Sequence, residues 1–331
     1  MRNYRIAILG ATGVVGREMI SIIESSGITA DIVPLGSARS AGTTMEFHGE
    51  PVTVREAAGD SFIGADFVLG AAKNAVARHF APAIAESGAV FIDNSSAFRM
   101  ANDVPLVVPE INGADAYSHH GIIANPNCST IIALMAAAPL HRLSPIESIT
   151  ACTYQAVSGA GQEGLTELLR QTADIAAGRS PEARVFPTQI ACNVIPFIGA
   201  AQPNGYTDED MKMQNEGRRI LHSPRLRVGC TCVRVPVLRS HSIALTLRTE
   251  EKISPAEAAE AIAAFPGCRV AGSIAGRSYP TPVDVSGQDT VWVGRIREDM
   301  ADERGLALWC CGDQIRRGAA LNAVKIMRLF M

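Results

Sequence analysis

No excess of either charge marks this chain: 30 Lys and Arg stand against 33 Asp and Glu, a formal net charge of −3. Nucleic-acid binding shows as a basic stripe or cluster, so this balance argues against it, and small molecules become the expected partners. No apolar run is long enough to cross a bilayer, although 47% of the residues are hydrophobic, so no membrane span is expected. The opening MRNYRIAILG lacks the basic region, long apolar region and small-residue cleavage site of a secretory signal, since Ile6 to Leu9 is only strand-sized. The expected location is cytoplasmic. Among eight cysteines there is no CxxC pair. Cys230 and Cys232 would share one face of a strand, Cys310 and Cys311 would take opposite faces, and neither pair comes with histidines at zinc spacing. Reduced thiols and no metal site are expected. Internal repeats and low-complexity tracts are also missing.

What is present is enough chain for two domains, because single cores stop growing at roughly 250–300 residues. The first third alternates strand-sized apolar runs with helical patterns: Arg5 to Leu9, Val14 to Ser25, Asp31 to Leu35, Phe67 to Gly70, Ala75 to Ser87 and Ala89 to Asp93. That order implies parallel strands with helical crossovers, the doubly wound α/β pattern. From Ile146 the texture changes to alternating strands, Ser148 to Gln155, Thr231 to Leu238, Ser242 to Leu247 and Val291 to Arg297, which suggests a second domain on a mixed or antiparallel sheet. Ala176 to Pro187 and Gly199 to Gly205 read as loops. Leu306 to Cys311 reads as a strand, followed by a turn and an amphipathic helix.

The first strand runs into GATGVVG, in which Gly10, Gly13 and Gly16 form GxxGxxG. Glycines there allow a tight turn and close backbone approach to a diphosphate, and the amides of the helix start attract its charge. The alternative is a turn that needs glycine for packing alone. The second strand ends in Gly36-Ser-Ala-Arg-Ser-Ala-Gly42, with no Asp or Glu to bond the ribose hydroxyl of NAD. Arg39 and Ser40 are candidates for the 2′-phosphate, which predicts NADP, unless Arg39 is only a solvated loop charge.

Cys128 follows Asn125-Pro126-Asn127 and precedes a helical composition, so the helix is expected to start at about Cys128. The positive end of a helix dipole stabilises a thiolate, which makes Cys128 the best nucleophile of the eight; an inert core thiol is the other reading. His241 heads an alternating apolar run and reads either as a satisfied core histidine or as a proton carrier.

NPNCST (Asn125 to Thr130), SSAFRM, TYQAVSGAG, MKMQNE, CVRVPVLRSHS and RRGAALNAV occur in order from about residue 5 to 325. Together they resemble the aspartate-semialdehyde dehydrogenase family. The resemblance implies an N-terminal Rossmann-type NADP-binding domain, residues 1–126 completed by a C-terminal helix 312–331. Residues 127–311 would form an α+β catalytic and dimerisation domain like the C-terminal domain of glyceraldehyde-3-phosphate dehydrogenase. It implies Cys128 as the nucleophile that forms an acyl-thioester and His241 as its acid/base partner. Gln155, Arg234 and Glu216 would bind substrate, the arginine gripping a carboxylate by paired hydrogen bonds. Arg99 and Lys212 would bind phosphate, with the share of Arg219 left open. Gly10, Thr12, Gly13, Val14, Val15, Arg39, Ser40, Ser158, Gly159 and Gln314 would contact NADP.

The implied activity is NADPH-dependent reduction of L-4-aspartyl phosphate to L-aspartate 4-semialdehyde with release of inorganic phosphate, in the route to lysine, threonine, methionine and isoleucine. The chain would be a homodimer or homotetramer. The nearest enzyme alternative, N-acetyl-gamma-glutamyl-phosphate reductase, carries its nucleophile in Gly-Cys-Tyr-Pro-Thr rather than Asn-Cys-Ser-Thr. The other alternative, a non-catalytic NADP-binding regulator, would lack the nucleophile or the phosphate cations.

Overall fold

The computed structural model describes residues 2–272 and 277–331. The chain divides into two compact units, residues 1–127 with 319–331 and residues 128–318. The expected C-terminal piece began at residue 312; in the structure residues 312–318 go with the second unit.

Strands of the first unit are β1 (Tyr4–Leu9), β2 (Ala30–Gly36), β3 (Thr44–Phe47), β4 (Glu50–Thr53), β5 (Arg55–Glu56), β6 (Phe67–Gly70), β7 (Val90–Asp93) and β8 (Ile122–Ala124). Its main helices are α1 (Val14–Ser25) and α2 (Asn74–Ser87), with a single turn α3 (Pro109–Asn112). Six strands form one sheet in the order β5-β2-β1-β6-β7-β8, and every pair in it is parallel. Parallel strands need covered faces, which explains why Ile6 to Leu9 and Phe67 to Gly70 are buried throughout. The chain runs from β1 to β2 on one side and later returns to lay β6 on the other, so the loop after β1 stands at the switch point where open α/β sheets bind ligands. β3 and β4 form a separate hairpin whose turn places His48 and Gly49 at φ 52° and 78°, the twisted turn that suits right-handed strands. The C-terminal helix Leu321–Arg328 packs on α1, and its Asn322 donates to Val107 O and Asn125 Oδ1 at 2.9 and 2.7 Å.

The second unit contains β9 (Ile146–Gln155), β10 (Arg227–Arg234), β11 (His241–Thr249), β12 (Cys268–Val270), β13 (Val291–Glu298) and β14 (Gly305–Gly312). Its helices are α4 (Cys128–Leu143), α5 (Gly161–Ala176), α6 (Asp208–Ile220), α7 (Pro255–Ala264) and the single turn α8 (Pro282–Val285). The sheet runs β10-β9-β11-β14-β13-β12, mixed as expected: β9/β10 and β12/β13 are parallel and the rest antiparallel. Ser129 to Leu140 of α4 are all buried, so this helix is apolar on every side and forms the core against β9, β11, β13 and β14.

The expected strand Thr231 to Leu238 begins earlier and ends at Arg234. Pro236 has no N–H to offer a ladder, and the amide of Val237 turns back onto Val235 O at 2.8 Å.

Candidate active site

Register assembles the second unit's site. Arg234 at the end of β10 pairs with Gln155 at the end of β9, and Ser242 pairs with Tyr154, which sets His241 one step on, beside Gln155. Arg234, Gln155 and His241 are therefore one row across three adjacent strands, and all three are buried.

Cys128 is the first residue of α4, as the Asn-Pro-Asn approach predicts, and it is half-buried. No acidic side chain lies in that helix's first turn, so the dipole's positive end favours negative charge on the sulfur unopposed. Its Sγ lies 3.5 Å from Nε2 of His241. The other ring nitrogen, Nδ1, accepts the backbone N–H of Ala156 at 3.0 Å. An amide can only donate, so Nδ1 carries no proton and the neutral ring bears its single proton on Nε2, toward the sulfur. Burial pushes the His241 pKa down to about 3, and the nearby Arg234 charge acts in the same direction. The ring is neutral at physiological pH.

Ala156 also orders the arginine, whose Nη1 donates to Ala156 O at 2.7 Å. Burial lowers the Arg234 pKa from its ordinary value, opposed by the charges of Glu209, Cys128 and Cys232. Gln155 donates to Ser129 Oγ at 2.8 Å and to Glu209 Oε1 at 3.3 Å, and Glu209 in turn pairs with Lys212 at 2.6 Å. Glu209 is the carboxylate that the structure puts among these groups, and the sequence reading passed over it. Glu216 lies seven residues further along α6, buried. The only hint in the sequence was the i, i+3 spacing of Glu209 and Lys212 on a helix.

Two glycines fit the site by their lack of a side chain. A Cβ on Gly159 would fall 2.7 Å from Arg234 Nη1 and 3.4 Å from His241 Cε1. A Cβ on Gly318 would fall 2.9 Å from Cys128 Cβ, a contact that the sequence did not disclose. Gln314 accepts from Ser240 N at 2.7 Å and donates to Ser158 Oγ, so its amide braces the residue before His241. That residue, Ser240, is fully buried at φ 76°, a strained conformation for a side chain with Cβ.

In the first unit the glycine loop lines a cleft of about 420 Å³ together with Ser37, Ala38, Ser40 and Glu56. Gly10 has φ 90° and a Cβ there would meet Ala71 O at 2.8 Å, while a Cβ on Gly16 would meet Gly10 O at 2.4 Å. The amides that start α1 at Gly13 have no side-chain cap and no acidic residue in the first turn, so the helix start suits an anion. Thr12 and Gly13 line the cleft, and Val14 and Val15 begin the helix. Ser40 donates to Ser37 O at 3.1 Å; Arg39 is exposed on the same turn. These residues fit a dinucleotide. Arg99 is buried, with Nε on Asn125 O at 2.9 Å and Nη2 on Asn94 O at 2.7 Å.

Residues 5–119 match the family described as semialdehyde dehydrogenase, NAD binding domain, and residues 137–317 match semialdehyde dehydrogenase, dimerisation domain. The chain is 46% identical over 328 residues to aspartate-semialdehyde dehydrogenase of Synechocystis sp., covering 99% of this chain and 97% of that one. It is 44% identical over 334 residues to the Aquifex aeolicus aspartate-semialdehyde dehydrogenase, covering 99% and 98%. The Vibrio cholerae aspartate semialdehyde dehydrogenase II complexed with ASA superposes with a TM-score of 0.96 at 39% identity, covering 100% of this chain and 98% of that chain.

Proposed function

The chain belongs to the semialdehyde dehydrogenase family, and from that membership we propose that it is an NADP-dependent aspartate-semialdehyde dehydrogenase, which reduces L-4-aspartyl phosphate to L-aspartate 4-semialdehyde. The observation that carries the reading is Cys128 at a helix N-terminus with its sulfur 3.5 Å from a neutral, proton-bearing Nε2 of His241.

Cys128 thiolate attacks the acyl carbon of aspartyl phosphate, the C–O bond to phosphate breaks, and an acyl-thioester remains on the sulfur. His241 donates its Nε2–H first toward the thiolate and then toward oxygen charge that develops beside it. The sequence reading gave His241 an acid/base role; its tautomer supports donation in the resting site. Arg234 holds the substrate's α-carboxylate in a fixed orientation, and Glu209 meets the ammonium group, since a buried cation and a nearby carboxylate match the two charges of an amino acid. Lys212, paired with Glu209, supplies positive charge for phosphate. Arg99, Ser158, Gly159 and Gln314 keep their contacts to phosphate or cofactor on the resemblance alone, and the ammonium contact that the resemblance implies for Glu216 is given to Glu209. Gly10, Thr12, Gly13, Val14 and Val15 would hold NADPH, with Arg39 and Ser40 at its 2′-phosphate, and the cofactor bound there would supply the hydride that reduces the thioester. Cys128 then leaves as the thiolate that it was at the start.

The match to a dimerisation domain supports a dimer as the working assembly, and the sheet face carrying Tyr154 and Trp309, rings 5.4 Å apart, is the proposed contact. No helix among the described residues is long and apolar enough to cross a membrane; the proposed place of action is the cytoplasm. The test mixes the protein with aspartate semialdehyde and NADP and follows NADPH absorbance. Phosphate-dependent reduction is expected, and reduction that ignores phosphate, or none, overturns the reading.

A further inference from the structure

Beneath α6, Cys230 and Cys232 lie on one face of β10 with their sulfurs 3.7 Å apart. Both are buried, and a carboxylate oxygen of Asp210 completes a group whose ligand atoms all lie within 4.8 Å of one another. Two thiolates about 2.3 Å from a tetrahedral Zn²⁺ stand about 3.8 Å apart, so the pair already has the separation that such an ion requires. Asp210 is held from both sides: Oδ1 accepts Cys232 N at 2.7 Å and Oδ2 accepts Thr207 N at 2.8 Å. A carboxylate has about four lone-pair sites, so each oxygen keeps capacity for a metal after these bonds. Thr153, in register with Cys232 on β9, is fully buried and its hydroxyl faces the Cys232 thiol, where it can donate to a metal-bound thiolate. Asp210 is half-buried and β10 is an edge strand, which gives an ion a side of entry.

We propose that Cys230, Cys232 and Asp210 form a binding site for a thiophilic divalent cation, Zn²⁺ being the type, separate from the Cys128–His241 pair. Binding replaces two S–H bonds by two metal–sulfur bonds and releases two protons; Asp210 ligates as the carboxylate, and a water takes the fourth position. The absence of a CxxC pair pointed away from metal because the third ligand comes from a helix twenty residues upstream. Cys232 lies two residues before Arg234, and Asp210 directly follows Glu209. Resting on the proposed activity, occupancy therefore ties together the two segments that carry the substrate's charge partners and raises the KM for aspartate semialdehyde.

The experiment uses the full chain as Cys128→Ser, which removes the nucleophile as a competing ligand, and Co²⁺ as the probe. One equivalent of Co²⁺ with a thiolate charge-transfer band, displaced by Zn²⁺ with release of two protons on binding to the unloaded chain, is the expected result. Adding Cys230→Ser should weaken Zn²⁺ at least about tenfold, and Asp210→Asn, a less buried change, should also weaken it. A missing charge-transfer band, which needs no substitution at the site to observe, or unchanged Zn²⁺ affinity in both added variants, overturns the proposal. Inhibition of the Cys128 enzyme by Zn²⁺ should ease in Cys230→Ser. The spectroscopic result stands or falls without reference to turnover, so failure of the activity assignment would be seen separately.

Discussion

The backbone amide of Ala156 donates to Nδ1 of His241 at 3.0 Å, and this one bond decides which ring nitrogen faces Cys128. Protonating the ring would set Nδ1–H against the amide's own N–H in a fully buried place. His241 therefore acts through its Nε2–H donor. His241→Ala should lower kcat about 10²–10³-fold. His241→Gln, which can restore an amide N–H toward the sulfur, should recover at least about tenfold of that loss. Steady-state kinetics check this, and equal loss in both variants would refute the donor role.

Stability should follow the same group. The folded-state pKa is about 3 against an ordinary 6.5, so the unfolded chain binds the proton that the native chain refuses. The contribution is complete above pH 6.5 and declines as pH falls toward 3, by on the order of 4–5 kcal/mol at the limit. Denaturant unfolding measured between pH 8 and 4, for the protein and for His241→Gln, should show a smaller acid loss in the variant.

Gly318→Ala places a methyl 2.9 Å from the Cβ of Cys128. The backbone of the Cys128 helix start is part of the same contact, so the nucleophile is expected to move. A stability loss of about 1–3 kcal/mol should accompany a fall in kcat larger than any rise in NADPH KM. Thermal unfolding and kinetics together test it.

Glu209 and Glu216 separate by substitution. Glu209→Gln should raise the KM for aspartate semialdehyde about tenfold or more, the order of one charge-assisted hydrogen bond. Glu216→Gln should act mainly on thermal stability, since its side chain is buried within α6's packing face. The reverse pattern would return the ammonium contact to Glu216.

Arg39→Ala should raise the KM for NADPH about tenfold or more and leave NADH nearly unchanged. Equal losses for the two cofactors would remove Arg39 from the 2′-phosphate.

The β1–turn–α1 segment was legible because its signal is local: a buried strand, glycines where a Cβ would collide, and an amphipathic helix follow one another directly. The start of α4 was legible for the same reason, since Pro126 bars helix before Cys128. Glu209 and Gly318 were not, because their reasons lie far along the chain, at Gln155 and at Cys128. The end of β10 was misjudged where Val233, Val235 and Val237 continue an alternating pattern that Pro236 interrupts. The hairpin β3/β4 and the short strands β5 and β8 were missed because runs of two to four residues carry too little periodicity to be seen.

Because Arg234, Gln155 and His241 descend from neighbouring rungs of a single sheet, they share one fate. Sliding β9 by one residue would turn its glutamine to the far side and pull Ala156 away from the imidazole and the guanidinium at the same moment. Intermediate, half-working versions of this centre are thereby excluded, and length changes in the chain should accumulate in the surface loops while β9 keeps its residue count.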